Sequence, residues 1–306
     1  MKHLMIGSRR SQLAQTQTSL VRQQLLIEWP ELEVDIQFID TQGDLNRHDP
    51  LPAIGGKGLF TQELEEALRQ RRIDAAVHSL KDLPVEDSPG LTLIAIPKRA
   101  AINDVLVSRR ADRLETLPEE AVVGTSSLRR AAQVLALRPD LRIKDIRGNV
   151  DTRLRKLDDP VQGYDAILLA QAGLDRLGYG QLAHARPIPT ELVLPAPGQG
   201  ALAVQGRIDD PEMTAFLKRL DHGPTRAAVT AERAFLAGLG GGCALPVGAQ
   251  ATVQDGQLRL EALVASPRGE RLIRVSGCAS PEEAAILGRE LAAQALAQGA
   301  RELLNG

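Results

Sequence analysis

The chain has 306 residues, 43% hydrophobic and 25% charged, with a net charge of −2 at pH 7; this is the balance of a globular protein with two or three cored domains and excludes a disordered chain. Aromatics make up only 2%, too few for stacking platforms, and the lack of a basic excess argues against a nucleic-acid partner. Two cysteines, Cys243 and Cys278, suit neither a disulfide framework nor a metal pair, and Met-Lys-His runs into an amphipathic helix without a signal-like segment. No apolar run approaches the roughly eighteen residues of a spanning helix. A cytoplasmic, reducing setting is expected, with no membrane contact.

Short apolar strands alternate with amphipathic helices, the pattern of parallel or mixed sheets covered by helices. Strands are predicted over 4–7, 34–39, 73–77 and 91–96, with helices over 11–28 and 61–71. A second unit of the same kind follows, with strands at 104–107, 122–124, 141–146 and 166–169 and a helix over 126–137. The Pro- and Gly-rich stretch 193–200 leads to a strand at 201–205 that can return to the first sheet, a double crossing that would form a hinge. The pattern then changes to a helix over 224–239, strands at 247–253, 257–264 and 271–276, and a long Ala-rich helix over 281–304. The predicted fold class is α/β and α+β multidomain. Domain 1 covers 1–98 with 199–218, domain 2 covers 103–194, and a small α+β domain covers 222–306.

Chemistry concentrates at strand ends, where open α/β sheets bind ligands. Val-His-Ser-Leu-Lys-Asp at 77–82 places Asp82 beside Lys81 after a strand, where an ionised carboxylate can hold N–H donors and stabilise developing positive charge. Gly-Thr-Ser-Ser-Leu-Arg-Arg at 124–130 joins a strand to a helix, so backbone N–H groups, hydroxyls and guanidinium groups can converge on an anion. Arg-Gly-Asn-Val-Asp-Thr-Arg at 147–153 repeats the arrangement, and Ser8, Arg9 and Ser11 offer another on the first domain. Of the 37 basic residues only seven are Lys; Arg presents the rigid fork that suits carboxylates. Each motif also has a plainer reading as a capping loop or a solvated charge pair. Gly-Gly-Lys-Gly at 55–58 lacks phosphate-loop spacing, and the five His are too scattered for a metal site. Cys243 sits in Gly-Gly-Gly-Cys at 240–243, a glycine-rich turn that suits either an attachment point or a helix cap.

Together with Pro-Gly-Gln-Gly at 197–200 and Gly-Gly-Cys-Ala-Leu-Pro-Val-Gly at 241–248, these motifs resemble the porphobilinogen deaminase family, in the same order along essentially the whole chain. The resemblance implies two similar doubly wound α/β domains like those of periplasmic binding proteins, plus a small C-terminal domain with a three-stranded antiparallel sheet. It implies stepwise head-to-tail condensation of four porphobilinogen molecules, with loss of ammonia, on a dipyrromethane cofactor attached to Cys243 by a thioether. Hydrolysis then releases the linear tetrapyrrole hydroxymethylbilane. Asp82 would be catalytic. Lys81, Asp82, Ser127, Arg129, Arg130 and Gly148 would hold the cofactor. Arg9, Ser11, Gln17, Lys57, Phe60, Ser79, Arg147, Arg153, Arg176 and Gln199 would hold substrate. The family also implies a monomer. Two positions depart from the family pattern: Ala53 stands where Lys is frequent, and Leu245 where a β-branched residue is. A solute-binding protein and a thiol hydrolase are the rival readings. The missing export signal and the glycine-flanked Cys oppose the first, and the lack of a His assignable to Cys243 opposes the second.

Overall fold

In the computed structural model, which describes residues 3–41, 61–86, 88–241 and 245–305, the chain opens with β1 (His3–Arg9), α1 (Gln12–Glu28), β2 (Glu33–Ile39), α2 (Gln62–Arg69), β3 (Ala75–Ser79) and β4 (Leu91–Ala95). It continues through β5 (Asp104–Val107), β6 (Val122–Gly124), α3 (Leu128–Leu137), β7 (Arg142–Lys144), α4 (Val150–Asp158), β8 (Ala166–Ala170), α5 (Gln171–Arg176) and β9 (Ala185–Pro187). β10 (Leu202–Arg207), α6 (Pro211–Leu217) and α7 (Gly223–Gly238) follow. The chain ends in β11 (Val247–Gln254), β12 (Gln257–Ala265), β13 (Leu272–Ala279), α8 (Ala284–Ala297) and α9 (Ala300–Asn305). Two units separate by their internal contacts: Met1–Ala100 with Gly200–Arg226, and Ala101–Gln199 with Ala227–Gly306.

The first unit is built on a five-stranded sheet in the order β2-β1-β3-β10-β4. β1 runs parallel to β2 and β3, whereas β10 is antiparallel to both its neighbours. Its inner strands β3 and β10 are buried on both faces, as expected of a sheet covered on both sides, with His78, Gln205 and Arg207 buried among their apolar residues. α1 sends Val21 and Leu25 onto one face, where Met213 and Leu217 of α6 join them. α2 covers the other face with Leu64, Ala67 and Leu68.

The second unit repeats this plan in the order β7-β6-β8-β5-β9, again with one inner antiparallel strand, β5. Alternate residues of β5 and β8 feed opposite faces: Leu106 and Leu168 pack with Val134 of α3, and Val105, Ile167 and Leu169 with Leu157 of α4. The antiparallel sheet β11-β12-β13 belongs to the same unit. Phe235 of α7 and Leu287 and Leu291 of α8 enter its core. Glu232 of α7 is fully buried, and its carboxylate accepts from the backbone N–H groups of Gly198 and Ala251, at 2.7 and 2.8 Å.

The predicted return of the chain to the first sheet through 201–205 is β10. The predicted helix over 281–304 is corrected. It begins as a 3₁₀ turn, Pro281–Glu283, and breaks between α8 and α9 at Gly299, whose φ of +94° no continuing helix accepts. The predicted strand 141–146 shrinks to β7 because Ile146 leaves the ladder, its N–H donating to Ser126 Oγ at 3.2 Å. α4, α5, β9 and α6 have no counterpart in the sequence prediction.

Candidate active site

In the first unit, β1 and β3 are parallel neighbours, so their C-terminal ends lie on one edge of the sheet. β1 delivers Arg9, half-buried, and Ser11, which caps α1 by accepting from the Ala14 N–H at 3.3 Å. β3 delivers Ser79, whose hydroxyl accepts from the Gln17 side chain at 2.7 Å. The chain then makes a single 3₁₀ turn, Leu80–Asp82. Leu80 and Leu83, three residues apart on one side of that turn, are buried, while Asp82 is exposed. The turn is therefore anchored by two leucines and by the Leu80 N–H donating to Ala201 O at 3.0 Å, with the carboxylate on its free side.

Behind this edge lies His78, 5% exposed, with its Nε2 3.1 Å from Gln205 Oε1. Burial, reinforced by the charge of Arg9 and opposed by the Gln205 hydrogen bond, lowers its pKa to about 4. The ring is thus neutral near pH 7, and the cationic charge at this edge belongs to Arg9 and Lys81.

In the second unit, β6 is parallel to both β7 and β8, so all three end on one edge. After β6, Ser127 caps α3, accepting from the Arg130 N–H at 3.5 Å. Ser126 ties this loop to the next one, donating to Ile146 O at 2.9 Å. After β7 come Arg147 and Gly148, then α4 with Arg153, whose Nε donates to Gly148 O at 2.8 Å. Gly148 has φ +110°, and a Cβ there would lie 2.7 Å from Thr152 Cγ2, so only glycine fits. After β8 comes Arg176 at the end of α5; burial lowers its pKa to about 10 and Asp175 opposes the shift, so it remains cationic near pH 7.

Arg129 and Arg130 are 4% and 7% exposed and bind the fully buried Asp104. Burial alone would raise the Asp104 carboxyl; the two guanidinium groups outweigh it and hold the acid well below the usual carboxylate range. Gln199 is fully buried too, its amide donating to Ile102 O at 2.7 Å and Asp104 Oδ1 at 2.9 Å. Asp104 is a buried partner of both arginines that sequence reasoning missed. Its one signal is an acid heading the apolar run Val-Leu-Val.

The structure therefore gathers Arg9, Ser11, Gln17, Ser79, Lys81 and Asp82 along the first sheet's edge. It gathers Ser127, Arg129, Arg130, Arg147, Gly148, Arg153 and Arg176 along the second's. Cys243, Lys57, Phe60 and Ala53 lie outside the described residues. The chain approaching Cys243 is described as far as Gly241. α7 ends in a Schellman cap, with the Gly241 N–H donating to Leu236 O and the Gly240 N–H to Ala237 O, both at 3.0 Å. Gly240 and Gly241 have φ of +99° and +69°. The first two glycines of the motif thus serve the helix end.

Residues 4–215 match the family model described as "Porphobilinogen deaminase, dipyromethane cofactor binding domain", and residues 226–297 match "Porphobilinogen deaminase, C-terminal domain". The chain belongs to the porphobilinogen deaminase family. Among relatives, the porphobilinogen deaminase of Roseiflexus sp. (strain RS-1) is 49% identical, with 99% of each chain covered. That of Brevibacillus brevis is 46% identical, covering 98% of this chain and 96% of the relative. The solved structure of the methionine binding protein MetQ aligns with a TM-score of 0.45 at 13% identity, over 71% of this chain and 89% of that one. The donor set fits the family's cofactor: a dipyrromethane bearing acetate and propionate groups needs cationic, hydrogen-bonding partners, and the second edge consists of arginines, hydroxyls and a loop closed to any Cβ. Among the described residues, no group of three or more His, Cys, Asp and Glu is placed to hold a metal.

Proposed function

We propose that this protein is a hydroxymethylbilane synthase, a transferase of tetrapyrrole biosynthesis that condenses four porphobilinogen molecules head to tail and releases the linear product. The observation that carries the reading is the set of arginines at the ends of β6, β7 and β8, within residues that match the family's cofactor-binding domain. When bound, the dipyrromethane supplies a covalent primer whose terminal pyrrole is extended. Arg129, Arg147, Arg153 and Arg176 bind the acetate and propionate carboxylates, which Arg forks fit in pairs of hydrogen bonds; Arg130, whose three nitrogens are engaged by Asp104 and Leu168 O, adds its charge, and Arg9 offers the same chemistry in the first unit. Ser127 and the backbone at Gly148 supply further donors. Asp82, held at the tip of an anchored turn, accepts pyrrole N–H groups and offers a fixed negative charge where positive charge develops as ammonia leaves. Lys81 beside it, with Ser79 and Gln17 behind, orients an incoming carboxylate.

In this reading 1–98 with 199–218 carries the catalytic carboxylate, 103–194 the anion sites and 222–306 the attachment cysteine. Among the described residues, no helix is long and apolar enough to cross a membrane. A cytoplasmic monomer acting on a small molecule, without a nucleic-acid partner, completes the proposal.

Intact-mass measurement of native protein tests it, and an adduct of two pyrrole units is expected. Cys243→Ser should fold, carry no adduct and consume no porphobilinogen, whereas Cys278→Ser, altered on an exposed strand residue, should keep both adduct and activity. An unmodified wild-type chain that turns over porphobilinogen, or loss of the adduct in Cys278→Ser alone, would overturn the assignment.

A further inference from the structure

Asp104 opens β5, the antiparallel strand next to β8, and is fully buried. Its Oδ2 accepts from Arg129 Nη1 at 2.7 Å. Its Oδ1 accepts from Arg130 Nε at 3.0 Å, Arg130 Nη2 at 2.7 Å and Gln199 Nε2 at 2.9 Å. Four charge-assisted or amide donors thus converge on one carboxylate, a degree of satisfaction that fixes both guanidinium planes.

The two arginines differ in what this leaves over. Arg130 uses all three nitrogens, since Nη1 also donates to Leu168 O at 3.1 Å. Arg129 is held through Nη1 alone, which donates to Leu194 O at 2.6 Å as well as to Asp104. Its Nε and Nη2 have no acceptor among the described residues. Neither atom is among the polar atoms sealed from solvent without a partner in the described residues. The open side of the Arg129 fork therefore reaches accessible space.

Charge points the same way. Two guanidinium groups against one carboxylate leave the buried cluster at +1, and among the described residues no acid other than Asp104 acts on Arg129. A buried unmatched charge is costly, and one further anion would relieve it.

We propose that Asp104 is a positioning residue. It locks Arg129 by one nitrogen so that the Nε–Nη2 side takes a single carboxylate of the pyrrole chain, and it leaves the cluster one negative charge short so that this carboxylate completes it. The inference rests on the synthase reading of the site.

The test is a double-mutant cycle on full-length protein with D104N, D104E, R129Q and D104N/R129Q. Two quantities are read: the share of chains carrying the two-pyrrole adduct by intact mass after incubating apoprotein with porphobilinogen, and KM against kcat in the loaded fraction. D104N should lower loading or raise KM by about tenfold or more, the worth of one hydrogen bond to a charged group, and D104E should recover part of the loss. In the R129Q background, D104N should add little, because the residue acts through Arg129. D104N/R129Q keeps the cluster at +1, so it can be measured even if D104N does not fold; D104E/R129Q then closes the cycle.

Additive losses would overturn the positioning role and leave Asp104 as scaffold only. Normal loading and KM in folded D104N would do the same. Normal loading and KM in R129Q would instead overturn the carboxylate site at Arg129, whatever D104N shows.

Discussion

His78→Gln tests whether the catalytic edge is built around a neutral imidazole. The ring's pKa is lowered from 6.5 to about 4 in the folded protein, chiefly by burial. Between those values the unfolded chain binds more protons, so stability rises with pH across this window and is lost as pH falls from about 6.5 toward 4. Each tenfold change in a proton equilibrium is worth about 1.4 kcal/mol. The full move therefore amounts to about 3 kcal/mol, of which about 2 kcal/mol falls between pH 7 and pH 4.5. Glutamine keeps an amide donor near Gln205 Oε1 and cannot titrate. Urea unfolding of wild type and His78→Gln at pH 4.5, 5.5, 6.5 and 7.5 isolates the effect, because carboxylates and the other histidines cancel in the difference. Wild type should lose about 2 kcal/mol relative to the variant on going from pH 7 to 4.5. A difference that stays flat within about 0.5 kcal/mol would refute the reasoning: the ring would then be as free to charge in the fold as in water.

Asp82→Asn is nearly isosteric on a turn held by Leu80 and Leu83, so holoprotein should still form, with turnover down by about a hundredfold or more, the usual worth of a positioned electrostatic group; near-normal steady-state turnover of mass-verified holoprotein would return Asp82 to a loop-capping role. Gly288→Ala should destabilise despite alanine's better helix propensity, because its Cβ would lie 2.3 Å from Ala231 O and 2.7 Å from Ala234 Cβ, forcing α7 and α8 apart. A net loss of about 1–3 kcal/mol is expected by thermal unfolding, and an unchanged or raised Tm would contradict that packing.

The sequence made strand ends legible because parallel strands with helical crossovers leave a strong signature: a short apolar run, a polar turn, then an amphipathic helix. β1 and β6 obey it, and each is followed by a motif that the structure brings to an edge; β3 departs from it, ending in the 3₁₀ turn that carries Asp82 and passing to β4 without a helix. α4 hid because its nine residues, Val-Asp-Thr-Arg-Leu-Arg-Lys-Leu-Asp, read as the tail of an anion loop; only Val150, Leu154 and Leu157 face the core. The break at Gly299 hid because a glycine inside an Ala-rich helical pattern is permitted locally, and its left-handed conformation is decided by how the last turn docks.

The harder loss was through space. Arg129 and Arg130 are visible as an anion motif, but the acid that disposes of them lies 25 and 26 residues earlier on a different strand, and nothing in the local pattern of either segment names the other. β5 enters the second sheet antiparallel beside β8, so Asp104 at its start pairs with Ala170 at the end of β8. An antiparallel strand inserted among parallel ones starts where its neighbours finish. Its first residue is therefore placed at the same edge as their terminal loops, and an acid there is buried beneath the arginines those loops carry. β10 has the same role in the first sheet, where Leu202 at its start pairs with Ser79 at the end of β3. There the corresponding position is apolar, and the fixed negative charge comes instead from the exposed Asp82. Two sheets of one plan thus place a carboxylate near the same edge in opposite ways, one sealed under cations and one open beyond the strand. In the proposed reading, that difference in burial separates a positioning Asp104 from a catalytic Asp82.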